Sequence, residues 1–252
     1  MNHQKTYLIS GGGSGIGKAI AQQFDKEGAR VILLGRSLQK LQETLAALNG
    51  SNHLIIQADI GHKESLLACA DKIKTTAIDG IIANAGIGGE NYWGNKDRWE
   101  EIINTNLGGT YNLVNVFLPN LQLLPNETRH ILITSSVLAR LGVVNYTAYC
   151  ASKAGLLGLM RSWAMEFASQ NILVNAIAPG WVDTDMSQEG LQGIADVIGI
   201  SKDEFYDLAM QSVPLRKMSQ PQEIADLVAY LVKQKSITGQ TIDINGGSIM
   251  NS

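Results

Sequence analysis

The sequence predicts an α/β protein, a single-domain, doubly wound parallel sheet with helices on both faces. Three observations lead there. Short apolar runs alternate with amphipathic helical patterns along the whole chain, the rhythm of repeated βαβ units. The first run stops at a glycine cluster that opens a helix. Several later runs end on polar residues, where an open parallel sheet collects its ligands.

Lys5 to Ser10 is the first run, a buried strand by composition. The cluster Gly11-Gly12-Gly13-Ser14-Gly15-Ile16-Gly17 follows, and Ile16, Ile20 and Phe24 line one side of the helix it opens. Strand, glycine turn and helix form an arrangement suited to a pyrophosphate. The glycines allow close backbone approach, and the free N–H groups at the helix start face the phosphates. Arg30 to Gly35 reads as the second strand and ends at Gly35-Arg36-Ser37. An acid at that end would bond a ribose 2′-hydroxyl and repel a 2′-phosphate; here a cation and a hydroxyl stand instead, which predicts NADP(H) rather than NAD(H).

Leu38, Leu41, Leu45 and Leu48 mark an amphipathic helix, and His53 to Ala58 a third strand with Asp59-Ile60 just past its end. Glu64 to Thr75 reads as helix, and Gly80 to Ala83 as a strand running into Asn84-Ala85-Gly86. Arg98 to Leu123 is a long helical pattern in which Asn106 and Gly108-Gly109 are poor helix formers, so a kink or close contact is expected there. His130 to Ser135 is a strand that delivers Ser136. A helix over Ala151 to Ala168 and a strand over Ile172 to Ile177 follow, the latter broken by Pro179-Gly180. Residues 186–212 interrupt the rhythm and read as a substrate cover. Pro221 to Val232 is a helix with proline at its start, and Thr241 to Ile244 a last strand. No linker or repeat divides residues 1–252.

The chemistry concentrates between Ser136 and Lys153. Tyr149 and Lys153 are four residues apart, so a helix places an ammonium beside a phenol. A nearby cation is expected to lower the phenol's pKa, and Ser136 to polarise a carbonyl oxygen that Tyr149 protonates.

Composition sets outer bounds. A net charge of -3 with 17% charged residues does not suggest a nucleic-acid surface. Cys69 and Cys150 are too few for a disulfide framework. No apolar stretch reaches the roughly 20 residues that cross a bilayer, and no leader pattern opens the chain, so a cytoplasmic protein without a membrane partner is expected. His3, His53, His62 and His130 show no metal-ligand spacing. Trp93, Trp99, Trp163 and Trp181 are expected in the core or a pocket wall.

Taken together, these motifs resemble the short-chain dehydrogenase/reductase family, whose fold is Rossmann-like, over nearly the full chain. Ser10-Gly11, Gly13, Ser14 and Gly15-Ile16-Gly17 match its cofactor glycine motif, with serine where threonine is usual, and Asp59-Ile60 its adenine contact. Asn84-Ala85-Gly86 matches its family turn, with Ala83 where asparagine is common, and Pro179-Gly180, Val182 and Thr184 match its nicotinamide segment. Asn106, Ser136, Tyr149 and Lys153 match its catalytic tetrad. The resemblance implies that Tyr149 is the general acid in reduction and that Lys153 bonds the nicotinamide ribose and lowers the tyrosine pKa. Ser136 would orient a small-molecule carbonyl substrate, while Asn106 would hold the kink and a relay water. No metal is implied, and a homotetramer is.

The segments Pro214-Leu215-Arg216, Ile237 to Thr241 and Asn245-Gly246-Gly247 resemble 3-oxoacyl-ACP reductases, acetoacetyl-CoA reductases and polyketide ketoreductases. That implies a 3-ketoacyl thioester or similar β-keto substrate. The two basic positions that dock acyl carrier protein in such reductases fall on Glu127 and Gln170, which speaks against docking, although Arg129 lies nearby as a substitute. Ile87, Tyr92, Trp93, Leu138, Val143, Tyr146 and Trp181 are expected to wall an apolar substrate pocket. The alternatives are an NADP-dependent dehydrogenase of a small secondary alcohol, sterol or polyol, and a non-catalytic NADP-binding scaffold.

Overall fold

The computed structural model describes residues 4–250, so His3 lies outside the described residues. Its elements run β1 (Thr6–Ser10), α1 (Gly15–Lys26), β2 (Arg30–Gly35), α2 (Leu38–Ala46), β3 (Leu54–Gln57), α3 (Lys63–Ala70) and β4 (Gly80–Ala83). Then follow α4 (Trp99–Ile103), α5 (Gly109–Gln122), β5 (Arg129–Thr134), α6 (Thr147–Glu166) and β6 (Ile172–Pro179). The chain continues through α7 (Asp185–Ile198), α8 (Lys202–Gln211), α9 (Pro221–Leu231) and β7 (Thr241–Ile244). Seven parallel strands form one sheet in the order β3-β2-β1-β4-β5-β6-β7.

The apolar runs are continuous because both faces of the sheet are covered. Register places Ile32, Leu8, Ile81, Ile131 and Val174 in one row across five strands, and all belong to the core under α3, α5 and α6. The next row, Leu33, Ile9, Ile82 and Leu132, points to the other face, against Ile20 and Phe24 of α1, Leu41 of α2 and Ile224 and Val228 of α9. A register slip of one residue would exchange the two cores.

Several boundaries differ from the sequence pattern. α2 ends at Ala46, which leaves Leu48 beyond the helix. α3 ends at Ala70 and tightens into a 3₁₀ turn over Asp71–Ile73. The helix expected from Arg98 to Leu123 is interrupted by a π turn over Asn104–Gly108, so the kink is a widened turn that presents Asn106 inward. β6 runs through Pro179 rather than stopping before it, because Pro179 is its last residue and pairs beside Ile244. α6 starts at Thr147, earlier than the pattern suggests, which puts Tyr149 in its first turn.

Residues 186–212 fall within α7 and α8 and the segments that join and follow them. Leu191 and Met210 are buried there together with Val213 and Met218, and Trp181, Phe205 and Tyr206 pack against them. This small core is separate from the two on the sheet. Of the other tryptophans, Trp163 is in the core, whereas Trp93 and Trp99 are exposed, contrary to expectation. Among the described residues no helix is long and apolar enough to cross a membrane.

Candidate active site

The chain turns to opposite sides of β1 after β3, so the carboxyl ends of β1 and β4 flank the crevice where such sheets bind ligands. Gly11 and Gly15 adopt φ of 68° and 49° in the β1–α1 turn, a conformation that disfavours other residues. At Gly17 a Cβ would stand 2.1 Å from the Gly11 carbonyl oxygen, so only glycine lets α1 start this close to the turn. Ser14, the N-cap of α1, makes no side-chain cap bond, leaving its hydroxyl uncommitted to the helix.

Ser10 has a different task from the one expected. Its buried hydroxyl accepts from Asn84 N and Ala85 N, each at 3.0 Å, and donates to Ile82 O at 3.4 Å. It lines neither cavity and instead latches the Asn84-Ala85-Gly86 turn to β1. Gly17 likewise acts through packing.

Two adjoining cavities share Gly11, Ser14, Ala85, Gly86 and Ile87. The first is walled further by Gly13, Arg36, Ser37, Asp59 and Ile60, the residues expected at the adenosine half. Lys40 also lines it, a residue that the leucine pattern of α2 hid. Ser37 caps α2 by accepting from Lys40 N at 3.3 Å, which leaves its O–H free to donate. These glycines, cations and hydroxyls fit the phosphates and ribose of a dinucleotide.

The second cavity collects Ile16, Asn84, Ser136, Tyr149, Lys153, Pro179, Gly180, Val182 and Thr184. Asp185, Met186 and Ser187, the first turn of α7, close its side. Of the expected pocket wall Ile87 lines it, together with Met186 and Ser187 from the start of the 186–212 cover, which was also expected there. Trp93 is 91% exposed, Val143 is exposed, and Trp181 packs under the cover helices. Leu138 and Tyr146 stand outside the lining, although Tyr146 meets the Tyr149 ring edge-on at 6.4 Å. Sequence spacing cannot show which side of a loop faces inward; the signal for Met186 was its place at the start of the cover.

Each member of the tetrad is held by a definable bond. Asn106 is buried; its Oδ1 accepts from Ile87 N at 2.8 Å, and its Nδ2 donates to Ile87 O and to Ser152 Oγ, both at 3.0 Å. Ser152 Oγ in turn donates to Tyr149 O at 2.8 Å. Both amide hydrogens are thus committed, so a relay water at Asn106 would have to donate to one of its oxygens, of which the main-chain carbonyl already accepts from Thr110 Oγ1 at 2.8 Å. Ser136 Oγ accepts from Leu138 N at 3.1 Å and bonds the Tyr149 phenol. Lys153 Nζ donates to Thr134 O at 2.9 Å and stands 5.5 Å from the Tyr149 ring centre.

The electrostatics reverse one expectation. Burial pushes the Tyr149 phenol up to about 12, with the Ser136 bond opposing it, while burial brings the Lys153 ammonium down to about 8. In the free protein removal of the phenol from water sets the direction of its shift. That shift keeps the proton on Tyr149 at neutral pH in the free protein.

Arg129 cannot substitute at a docking surface. It is buried, its Nη1 donates to Leu121 O at 3.0 Å and its Nη2 to Gln170 O. Glu127 and Gln170 precede β5 and β6, at the opposite end of those strands from Ser136 and Thr184. Among the described residues no cluster of histidine, cysteine and acid side chains could hold a metal.

A family model described as "Enoyl-(Acyl carrier protein) reductase" matches residues 11–248. The chain is 33% identical over 259 residues to the 3-oxoacyl-[acyl-carrier-protein] reductase FabG of Staphylococcus aureus, covering 99% of this chain and 100% of that protein. It is 30% identical to the FabG of Thermotoga maritima, covering 98% of each. Among solved structures, a variant of actinorhodin polyketide ketoreductase with NADPH superposes with a TM-score of 0.90 at 30% identity, covering 97% of each chain. A likeness this complete, in sequence and in structure, makes the protein a member of the short-chain dehydrogenase/reductase family, an oxidoreductase built around a nicotinamide cofactor.

Proposed function

We propose that the protein reduces the keto group of a 3-ketoacyl thioester or a similar β-keto substrate to a secondary alcohol, using NADPH. The observation that carries this reading is Tyr149, a protonated phenol bonded to Ser136 at the wall of the second cavity. Arg36, Ser37 and Lys40 around the first cavity support NADPH over NADH, since two cations and a hydroxyl suit a 2′-phosphate. Their cofactor supplies the hydride when bound. Ser136 donates to the substrate carbonyl oxygen, and Tyr149 passes its proton to that oxygen as negative charge develops there. The Lys153 ammonium beside the ring stabilises the phenolate that remains. Asn106, through Ser152, holds the turn of α6 that carries the phenol.

The likeness to 3-oxoacyl reductases supports a thioester. The buried Arg129, and Glu127 and Gln170 at the far end of their strands, support a substrate that does not need a docked carrier protein. Exposed Tyr111, Met165 and Tyr230 on three outer helices support a homo-oligomer, which light scattering measures. The deciding experiment follows NADPH oxidation with acetoacetyl-CoA, beside NADH and beside Tyr149→Phe. Turnover that prefers NADPH and is abolished in the variant, with NADPH still bound, is expected. A variant that turns over normally refutes the proton donor; bound NADPH without turnover refutes the thioester and favours the dehydrogenase of a secondary alcohol or polyol.

A further inference from the structure

The helix that carries Tyr149 and Lys153 begins without a cap of its own. Its N-cap residue is Tyr146, whose side chain makes no capping bond. A short polar side chain at that position normally takes the N–H of the second or third helical residue. Here the second is Ala148, fully buried, and the third is Tyr149 itself. An unpaired N–H at Ala148 would loosen the very turn that presents the phenol.

The missing acceptor comes from a loop 57 residues earlier. Asn91 Oδ1 accepts from Ala148 N at 3.0 Å. Two further bonds fix it there. Asn91 N donates to Asn145 O at 2.8 Å, gripping a turn residue held at φ 62° just before the helix. Asn91 Nδ2 donates to Asp97 Oδ1 at 3.2 Å, and the same oxygen accepts from Trp99 N at 2.9 Å at the start of α4. The carboxylate can only accept, so it fixes which way the Asn91 amide points and turns Oδ1 toward the helix.

We propose that Asn91 is a positioning residue for the reaction: it caps the catalytic helix from a distant loop and, oriented by Asp97, holds Tyr149 in register with Ser136. The loop meets the first turn of α6 at two points. Ile87 is tied through Asn106 and Ser152 to the Tyr149 carbonyl, and Asn91 reaches the turn's leading amide. Between them they set both the height and the tilt of the turn. Asn91 touches no reacting atom and acts through Tyr149.

The test uses the full chain and a pair of substitutions. Asn91→Ala removes the acceptor, and Asn91→Asp keeps it but sets two carboxylates against each other. Combining Asn91→Asp with Asp97→Asn restores one donor and one acceptor between the two side chains in reversed order, while Trp99 N gives up the Asp97 oxygen it shared with Asn91. With NADPH and acetoacetyl-CoA, kcat per bound NADPH should fall roughly ten- to a hundredfold in both single Asn91 variants. It should recover in part, to at least about threefold above Asn91→Asp, in the double variant. A merely structural role would reduce the amount of folded, NADPH-binding protein and leave turnover per bound cofactor unchanged, which would overturn the inference. So would a loss that the double variant does not reduce. Asn91→Asp is isosteric and serves if Asn91→Ala does not fold.

A second readout needs no substrate. Hydrogen exchange at the Ala148 amide should quicken by at least about tenfold in Asn91→Ala, which removes the acceptor; unchanged exchange overturns the cap. The inference rests on Tyr149 as proton donor, and Tyr149→Phe run alongside separates the two. Normal turnover in that variant removes the tyrosine assignment, whereas an inactive Tyr149→Phe beside normal Asn91 variants removes the capping role alone.

Discussion

Replacing Ser10 by alanine removes one oxygen from the end of β1 and should cost far more than its size suggests. The hydroxyl accepts from Asn84 N and Ala85 N at 3.0 Å each and donates to Ile82 O. Alanine fits the same space but leaves Ala85 N without its acceptor, whereas Asn84 N keeps a second bond to Ile82 O at 3.1 Å. An unsatisfied buried donor costs about 1–3 kcal/mol. Ala85 is half-buried, which places its loss near the lower end, at about 1–2 kcal/mol with the weakened Asn84 bond included. For a chain of this size each kcal/mol lowers the melting midpoint by about 2–4 °C, so Ser10→Ala should melt roughly 2–8 °C below the parent. The turn it releases lines both cavities, so NADPH affinity should weaken as well. Thermal unfolding and NADPH fluorescence titration measure the two effects, with Ser10→Thr, which keeps the hydroxyl, as the control. A Ser10→Ala midpoint within about 1 °C of the parent, or an equal loss in Ser10→Thr, would refute the latch.

Arg36→Ala should weaken NADPH by about ten- to a hundredfold and NADH much less, because a charge-assisted bond to phosphate is worth roughly 1.5–3 kcal/mol; Lys40→Ala should act in the same direction. Equal losses for both cofactors in titration would remove the assignment. In the free protein burial pushes Tyr149 up to about 12 and brings Lys153 down to about 8, so reductive kcat/KM should be level below about pH 8 and decline above it as the ammonium charge is lost. A reductive rate that climbs from pH 8 to 10 would contradict that order of titration. Arg129→Met strips donors from the Leu121 and Gln170 carbonyls and should lower stability by about 2–4 kcal/mol in denaturant unfolding while leaving KM unchanged. A raised KM with unchanged stability would restore a docking role to that side chain.

Local signals carried much of the fold. The glycine turn, the strands over Arg30–Gly35, Gly80–Ala83 and Thr241–Ile244, and the proline at the start of α9 stand where the sequence pattern puts them, because each rests on the conformational limits of a few adjacent residues. The irregular helix at Asn106 was visible as poor helix chemistry, but not that it would become a π turn, a choice made by the bonds of Asn106 to Ile87 and Ser152.

The candidate site divides the same way. Spacing alone put Tyr149 and Lys153 on one helix face and Arg36 and Ser37 at the end of β2, since periodicity fixes directions along a single element. It was silent on how far each group is drawn from water, and that depth reversed the expected tyrosine shift. It was silent too on loop orientation, which turned Trp93 outward and brought Met186 in. The Ser10 latch and the Asn91 cap join residues 74 and 57 positions apart, at distances that no window along the chain can register. The sequence by itself therefore determined the elements, their faces and the chemical groups at the sheet's end. Only the tertiary structure decided which polar groups meet and how dry they are, because hydrogen bonding and desolvation depend on neighbours in space and not on neighbours in the chain.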